Sequence, residues 1–242
     1  HSAFYLSDQT LSIGVIGPGQ VGRALLGQLR DAAQRLHERD HIDLRVRAVA
    51  NSRRMELAEH ALSADGFAGR LDHGEPCDLD RFAAHVDAEH LPHAVIIDCS
   101  ASDAIADRYA GWMARGIHVI TPNKHAGSGE RARYEKLRAL VAAGAARWRY
   151  EATVGAGLPV VQTLRDIVDS GDRVLKIEGI FSGTLAWLFN RFEPGTSFAG
   201  LVREARAAGY TEPDPRDDLS GMDVARKLVI LGRELSLAVD PD

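Results

Sequence analysis

Six residues behind a short apolar run constrain this chain more than anything else in it. Gly17-Pro18-Gly19-Gln20-Val21-Gly22 follows residues 12–16 and opens a stretch in which Val21, Leu25, Leu26, Leu29, Ala33 and Leu36 recur at helical spacing. Strand, glycine turn and helix in that order is the context that a G-x-G-x-x-G motif requires. Gly17 permits the tight turn, Gly19 lets backbone approach a pyrophosphate, and Gly22 lets the helix pack closely on the strand. The helix start adds unpaired N–H groups and positive partial charge, which suit phosphates. Gly17, Gly19, Gln20, Val21 and Gly22 are therefore candidate cofactor residues; the plainer reading is a tight turn in an α/β protein.

Short apolar runs go on alternating with longer amphipathic stretches, the order of βαβ units around a parallel sheet. Strands are predicted at 44–50, 94–98, His118–Ile120 and 147–154, with a helix from Ser100 to about Arg115 and another over 130–141. Past Tyr150 the texture changes. A glycine turn and Pro159 lead to a helix reaching about Ser170, a strand is predicted over 176–181, and helices follow, separated by Pro194-Gly195 and a polar loop at 210–219. The fold class predicted is α/β: a Rossmann-type doubly wound parallel sheet over 1–150, binding NAD(P), then a second domain, α+β, over 151–242. Residues 52–93 show no clean periodicity.

Composition narrows the function classes. In 242 residues, 29 Lys and Arg face 34 Asp and Glu, a net charge of −5, which excludes a strongly basic nucleic-acid binder. With 45% apolar residues the chain can bury a core without disulfides or a structural metal. Cys77 and Cys99 have no C-x-x-C spacing, which fits a reducing compartment, the cytoplasm by default. The longest apolar runs, such as 94–97 and 228–231, fall far short of the roughly 20 residues of a membrane span. The first residues lack the cationic and apolar regions of a signal peptide. The partner expected is a small molecule, with neither nucleic acid nor membrane.

After the second strand, where a carboxylate would meet the ribose of NAD, stands Asn51-Ser52-Arg53-Arg54. A guanidinium pairs with a phosphate and a carboxylate would repel one, so Asn51 and Arg53 favour NADP over NAD; solvated loop charges are the alternative. His37-Glu38-Arg39-Asp40-His41 matches the HExxH zinc motif. It falls in the last polar turn of a helix, runs straight into a strand and has no third ligand at a useful spacing, which points to an exposed helix end.

The richest segment runs from Tyr210-Thr211-Glu212-Pro213-Asp214-Pro215-Arg216-Asp217-Asp218-Leu219 through Ser220-Gly221-Met222-Asp223-Val224-Ala225-Arg226-Lys227. Two prolines stiffen an acidic loop and a helix follows. Ser220 and Asp223 have near capping-box spacing, and Asp223 and Lys227 are i, i+4 neighbours, which on a surface would contribute only about 0.3–0.5 kcal/mol. The other reading puts Asp223, Lys227 and Ile230 on the edge of a packing stripe of Ala225, Leu228, Val229 and Gly232. There a lysine beside a carboxylate is a positioned proton donor. Spacing alone leaves both readings open.

Residues 210–227 closely resemble the signature of the homoserine dehydrogenase family. Asp98-Cys99-Ser100 with Thr121-Pro122-Asn123-Lys124 resembles that family's nicotinamide-side loops, Tyr150-Glu151-Ala152-Thr153-Val154-Gly155-Ala156-Gly157-Leu158-Pro159 its hinge, and Phe181-Ser182-Gly183-Thr184-Leu185 also matches. The resemblance covers nearly the whole chain in order. Its glycine motif looks most like that of the members fused to an aspartokinase.

The resemblance implies NAD(P)-dependent interconversion of L-homoserine and L-aspartate 4-semialdehyde, on the route to threonine and methionine. It implies Lys227 as general acid, Lys124 as proton relay or substrate-placing group, and Asp223 as the residue orienting the lysines. Glu212, Asp218 and Asp223 would hold the substrate amino group, and Gly183 and Thr184 would meet the substrate or nicotinamide. Ser100, Ala101 and Lys124 join the cofactor residues. Glu151, Val154, Ala156 and Leu158 are implied to bind a monovalent cation, usually sodium. Family members continue beyond the point matching Asp242, so the substrate domain is expected to be incomplete at its C-terminus. The complete protein is expected to be a homo-oligomer and fused to an aspartokinase. The rivals are another Rossmann oxidoreductase acting on an amino acid semialdehyde, a zinc hydrolase using residues 37–41, and a nucleotide-sensing module without catalysis.

Overall fold

The computed structural model of the chain describes residues 9–62, 71–211 and 214–241. The chain divides into two compact units. One runs up to Ala126 and resumes over Ala132–Tyr150; the other joins Gly127–Arg131 to the chain from Glu151 onward.

The first unit is built on a sheet of seven strands among the described residues: β1 (Thr10–Ile16), β2 (Asp43–Ala50), β3 (Arg54–Leu57), β4 (Glu75–Pro76), β5 (His93–Asp98), β6 (His118–Ile120) and β7 (Trp148–Arg149). Their order is β4-β3-β2-β1-β5-β6-β7. The chain leaves β1 to build outward through β2, then returns to β1's other side with β5, so a crevice opens where the strand order reverses. Ile16 lies level with Ala50 on one side and Asp98 on the other, which brings the C-terminal ends of the three central strands together. Ile13, Val15, Val49, Val95 and Ile97 form one core with Leu26. Near-continuous apolar strands are what a parallel sheet covered on both faces requires.

Helix α1 (Gln20–Asp40) follows the glycine turn and stops at His41, whose left-handed backbone at φ 56° breaks the helical path. Further helices in this half of the chain are α2 (Leu79–Val86), α3 (Asp103–Ala106), α4 (Tyr109–Ala114), α5 (His125–Ser128) and α6 (Arg131–Ala142). The expected parallel sheet is formed and carries an antiparallel edge besides, because the chain reverses at Asn51 so that β3 pairs back on β2, and β4 on β3. Two expectations need correction. The helix expected after Ser100 is two short pieces, α3 and α4. The strand expected over 147–154 ends at Arg149, and Glu151–Thr153 form a 3₁₀ turn.

The second unit contains α7 (Val160–Asp169), α8 (Gly183–Arg191), α9 (Phe198–Ala207), α10 (Pro215–Leu219) and α11 (Met222–Glu234). The strand expected over 176–181 is not formed. A strand needs a ladder for its N–H and C=O groups, and no strand exists among the described residues of this unit to supply one. Ile180 accordingly stands 85% exposed. Among the described residues no helix is long and apolar enough to cross a membrane, and both cysteines are free thiols.

Candidate active site

Three loops converge at the C-terminal ends of β1, β2 and β5. Gly17 lies at φ 81° and donates its N–H to Ala50 O at 2.8 Å. A Cβ there would sit 2.9 Å from Ser100 N, so a side chain is excluded both by backbone conformation and by space. A Cβ on Gly22 would run into Gly17 O; the last glycine of the motif is what lets α1 start against the turn. Gly19 differs, for among the described residues nothing lies within 4 Å of where its Cβ would stand. The start of α1 is left open, with Gln20 and Val21 exposed beside it. That is the seat a pyrophosphate needs: free N–H groups, positive partial charge and no side chain in the way.

Asn51 shapes the second loop. Its Oδ1 accepts the N–H groups of Arg53 at 2.8 Å and Arg54 at 2.7 Å, a turn closed by the side chain. The two arginines then part. Arg54 donates from Nη1 to Gly74 O at 3.1 Å. The Arg53 guanidinium is exposed and makes no hydrogen bond or ion pair among the described residues. Of the pair, Arg53 is the one available to an incoming anion.

The loops after β5 and β6 share a buried polar cluster. Asp98, with no exposed surface, accepts Ser100 N at Oδ1 (2.8 Å) and Asn123 Nδ2 at Oδ2 (2.9 Å). The Tyr109 hydroxyl donates to the same Oδ2. Thr121 Oγ1 donates to Asp98 O at 2.8 Å and accepts Asn123 N at 2.8 Å. Asn123 also donates to Ser102 O at 2.9 Å, and its Oδ1 accepts His125 N at 3.0 Å. Lys124, half-buried, lies between these tethered residues, and Ala101 is exposed on the neighbouring loop. Burial, reinforced by the charge on Asp98, pushes the Cys99 thiol up to about 11. Sequence reading named both loops but missed what joins them, and Tyr109 entirely. The only local signal is an aspartate closing the apolar run 94–97.

In the second unit α11 positions the lysine. Lys227 Nζ donates to Asp223 Oδ2 at 2.6 Å and to Phe181 O at 2.7 Å. The side chains are 17% and 5% exposed, so the solvated-surface reading of this pair falls. The helix start departs from the expected capping box. Gly221, at φ 79°, is the N-cap, while Ser220 ends α10 and its hydroxyl donates to Asp217 O at 3.2 Å. Asp223 is thereby turned inward. The packing stripe is displaced as well: Leu228 is 48% exposed, whereas Val229, Ile230 and Leu231 are buried. Asp218 is buried, and Thr184 Oγ1 donates to Tyr210 O at 2.6 Å, tying the first turn of α8 to the acidic loop. Ser182 caps α8 by accepting Leu185 N at 3.0 Å, with Gly183 exposed next to it. Glu212 lies outside the described residues.

Glu151 has a duty that no local pattern signals. Its Oε1 accepts Val161 N at 2.8 Å and its Oε2 accepts Gln162 N at 2.9 Å, capping α7 from nine residues upstream of the helix. Between them Gly155 and Ala156 are both left-handed, at φ 80° and 51°. The Leu158 carbonyl accepts Val160 N at 2.9 Å, whereas those of Val154 and Ala156 accept no hydrogen bond among the described residues.

The HExxH motif does not assemble. His37 is the last-turn residue of α1, His41 is its left-handed cap, and both are exposed. Among the described residues no cluster of three or more His, Cys, Asp or Glu is placed to hold a metal.

A parallel sheet that reverses its strand order beside an open glycine turn defines a dinucleotide-binding α/β protein. Residues 17–151 match the family model described as homoserine dehydrogenase, NAD binding domain, and residues 159–242 match that described as homoserine dehydrogenase. The chain is 51% identical over 242 residues to bifunctional aspartokinase/homoserine dehydrogenase 1, chloroplastic, of Zea mays, covering 99% of this chain and 26% of that protein. It is 38% identical over 243 residues to bifunctional aspartokinase/homoserine dehydrogenase 2 of Escherichia coli (strain K12), covering 100% of this chain and 30% of that protein. Among solved structures it matches a Candida auris protein of unknown function with a TM-score of 0.78 and 32% identity, over 96% of this chain and 64% of that one. A hyperthermophilic archaeal homoserine dehydrogenase in complex with NADPH, 21% identical, shares the fold with a TM-score of 0.76 over 96% of this chain and 76% of that one. The chain belongs to the homoserine dehydrogenase family. It spans 26–30% of the length of these curated relatives.

Proposed function

We propose that this chain carries an NADPH-preferring homoserine dehydrogenase activity, interconverting L-homoserine and L-aspartate 4-semialdehyde. The observation that carries the reading is Lys227 Nζ, held at 2.6 Å by Asp223 and at 2.7 Å by Phe181 O at the edge of a core. An aldehyde reduced at neutral pH needs a fixed proton donor at the oxygen where negative charge develops, and such positioned groups commonly contribute several kcal/mol. Lys227 protonates that oxygen; Asp223 sets its direction and supplies the counter-charge. Lys124 relays the proton or places the substrate. Asp218, Asp223 and Glu212 attract the substrate ammonium, while Gly183 and Thr184 shape the turn that receives it.

The bound nicotinamide supplies or takes the hydride. Gly17, Gly19, Gln20, Val21 and Gly22 receive its pyrophosphate, Asn51 holds the turn that presents Arg53 to a 2′-phosphate, and Ser100, Ala101 and Lys124 line the nicotinamide side. The residues proposed for a monovalent cation are all oxygen donors, which suits a hard ion, and the Val154 and Ala156 carbonyls are unclaimed by other hydrogen bonds among the described residues. Glu151 and Leu158 would complete the set and brace the turn before α7. Homo-oligomerisation and fusion to an aspartokinase are part of the same proposal, the relatives being named bifunctional. A cytoplasmic location is proposed from the free thiols, although the Zea mays relative is named as chloroplastic.

The test follows NADPH oxidation with aspartate semialdehyde in the full-length protein and its Lys227→Ala variant. A kcat loss of about 10²–10⁴-fold is expected for a removed general acid. A rise in KM with kcat unchanged would overturn the assignment of Lys227.

A further inference from the structure

The Asp98 cluster is built at a disadvantage to stability. A carboxylate with no exposed surface is held by three neutral donors, Ser100 N, Asn123 Nδ2 and the Tyr109 hydroxyl, where an apolar residue would fill the space without desolvating a charge. The donors come from three segments of chain: the loop after β5, the loop after β6, and α4. Burial and the charge on Asp98 hold the Tyr109 phenol far above its ordinary range, so it remains a donor throughout. Arg133 completes the arrangement from α6. Its Nη2 donates to His125 O at 2.6 Å and to Asp103 at 2.8 Å, and Asn123 Oδ1 accepts His125 N at 3.0 Å. Both neighbours of Lys124 are thus tied down, Asn123 through Asp98 and His125 through Asn123 and Arg133.

We propose that Asp98 and Tyr109 are positioning residues for hydride transfer: they touch neither substrate nor cofactor, but lock Ser100 and Asn123, and through them Lys124, into the geometry that the nicotinamide side requires. This rests on the dehydrogenase reading above. Reacting groups displaced by about 1 Å lose roughly 10²-fold in rate, so loosening this lock falls on kcat rather than on cofactor affinity, most of which resides at the glycine turn and Arg53.

The test compares Tyr109→Phe and Asp98→Asn in the full-length protein with Arg47→Met. Arg47 is a buried arginine of the same sheet, 1% exposed and bonded to His85 O at 2.7 Å and Glu59 O at 3.0 Å, with no part in the site. Tyr109→Phe is expected to lower kcat roughly tenfold and Asp98→Asn roughly a hundredfold, with KM for NADPH within about threefold of the parent. Arg47→Met is expected to lower Tm and leave kcat per folded molecule unchanged. The proposal is overturned if Tyr109→Phe behaves like Arg47→Met, or if it raises KM for NADPH with kcat intact. Should Asp98→Asn fail to fold, Tyr109→Phe decides alone. A parent without turnover would overturn the dehydrogenase reading and with it any role in hydride transfer, whereas a parent that turns over beside a Tyr109→Phe variant of unchanged kcat would overturn this proposal alone.

Discussion

Lys227 and Asp223 meet at 2.6 Å, one turn apart on α11, with the carboxylate 5% and the amine 17% exposed. A pair so sheltered behaves unlike a surface i, i+4 pair, because removing one partner strands the other's charge. Asp223→Asn is expected to lower kcat by about 10-fold or more through loss of the counter-charge that orients the amine. Lys227→Met, which leaves the carboxylate alone, should destabilise the fold by roughly 3 kcal/mol, the low end for a buried pair because the lysine keeps some solvent. Urea titration checks the second expectation and steady-state kinetics the first; a Lys227→Met variant as stable as the parent would show that the pair is effectively solvated.

Arg53 is exposed beside the Asn51 turn while Arg54 is engaged by Gly74 O. Arg53→Glu should therefore weaken NADPH by about 10-fold or more, and NADH much less, since only the former brings a phosphate to a guanidinium. Arg54→Glu should instead act mainly on stability. Equal losses of NADPH and NADH in Arg53→Glu, measured by fluorescence titration, would remove the 2′-phosphate argument.

Cys99, raised from 9.0 to about 11 by burial and by Asp98, is a poor nucleophile near neutrality. Iodoacetamide should label it slowly near pH 8 and faster as pH rises. The linkage has a definite sign. The unfolded thiol loses its proton near 9 while the folded one keeps it to about 11, so the folded chain binds more protons across that window. Cys99 thus contributes stability that is complete below about 9 and is lost as pH climbs through about 11. Cys99→Ala should flatten that part of the stability profile; an unchanged slope would assign it to other groups.

Glu151 caps α7 with both carboxylate oxygens. Glu151→Gln retains an acceptor but loses the charge facing a helix start, and should cost about 1 kcal/mol. If the Glu151 turn also holds sodium, the parent's Tm should rise with NaCl above its value in a bulky-cation salt of equal ionic strength, and the variant's should not. Identical salt responses in parent and variant would leave Glu151 as a cap alone.

The glycine motif was legible because strand, turn and helix are consecutive, and each glycine answers a local demand: φ 81° at Gly17 and the approach of Gly22 to the Gly17 carbonyl. The central strands were legible for a similar reason, being apolar runs bounded by turns. The antiparallel edge was not, since it depends on how the Asn51 side chain folds back onto two backbone N–H groups. The strand expected over 176–181 failed because a strand is defined by its partner, and periodicity within one segment carries no information about whether a partner is present.

Order along the chain by itself determined the class of fold, the open glycine turn before α1 and the pairing distance of Asp223 and Lys227, all of which follow from contacts a few residues apart. Only the tertiary structure decided that Lys227 is held by Phe181 O, that Glu151 caps a distant helix and that Asp98 unites Ser100, Tyr109 and Asn123. Those partners lie 10 to 46 residues apart apart from Ser100, and a buried polar group finds its donor by proximity in space, which desolvation enforces and sequence spacing does not encode.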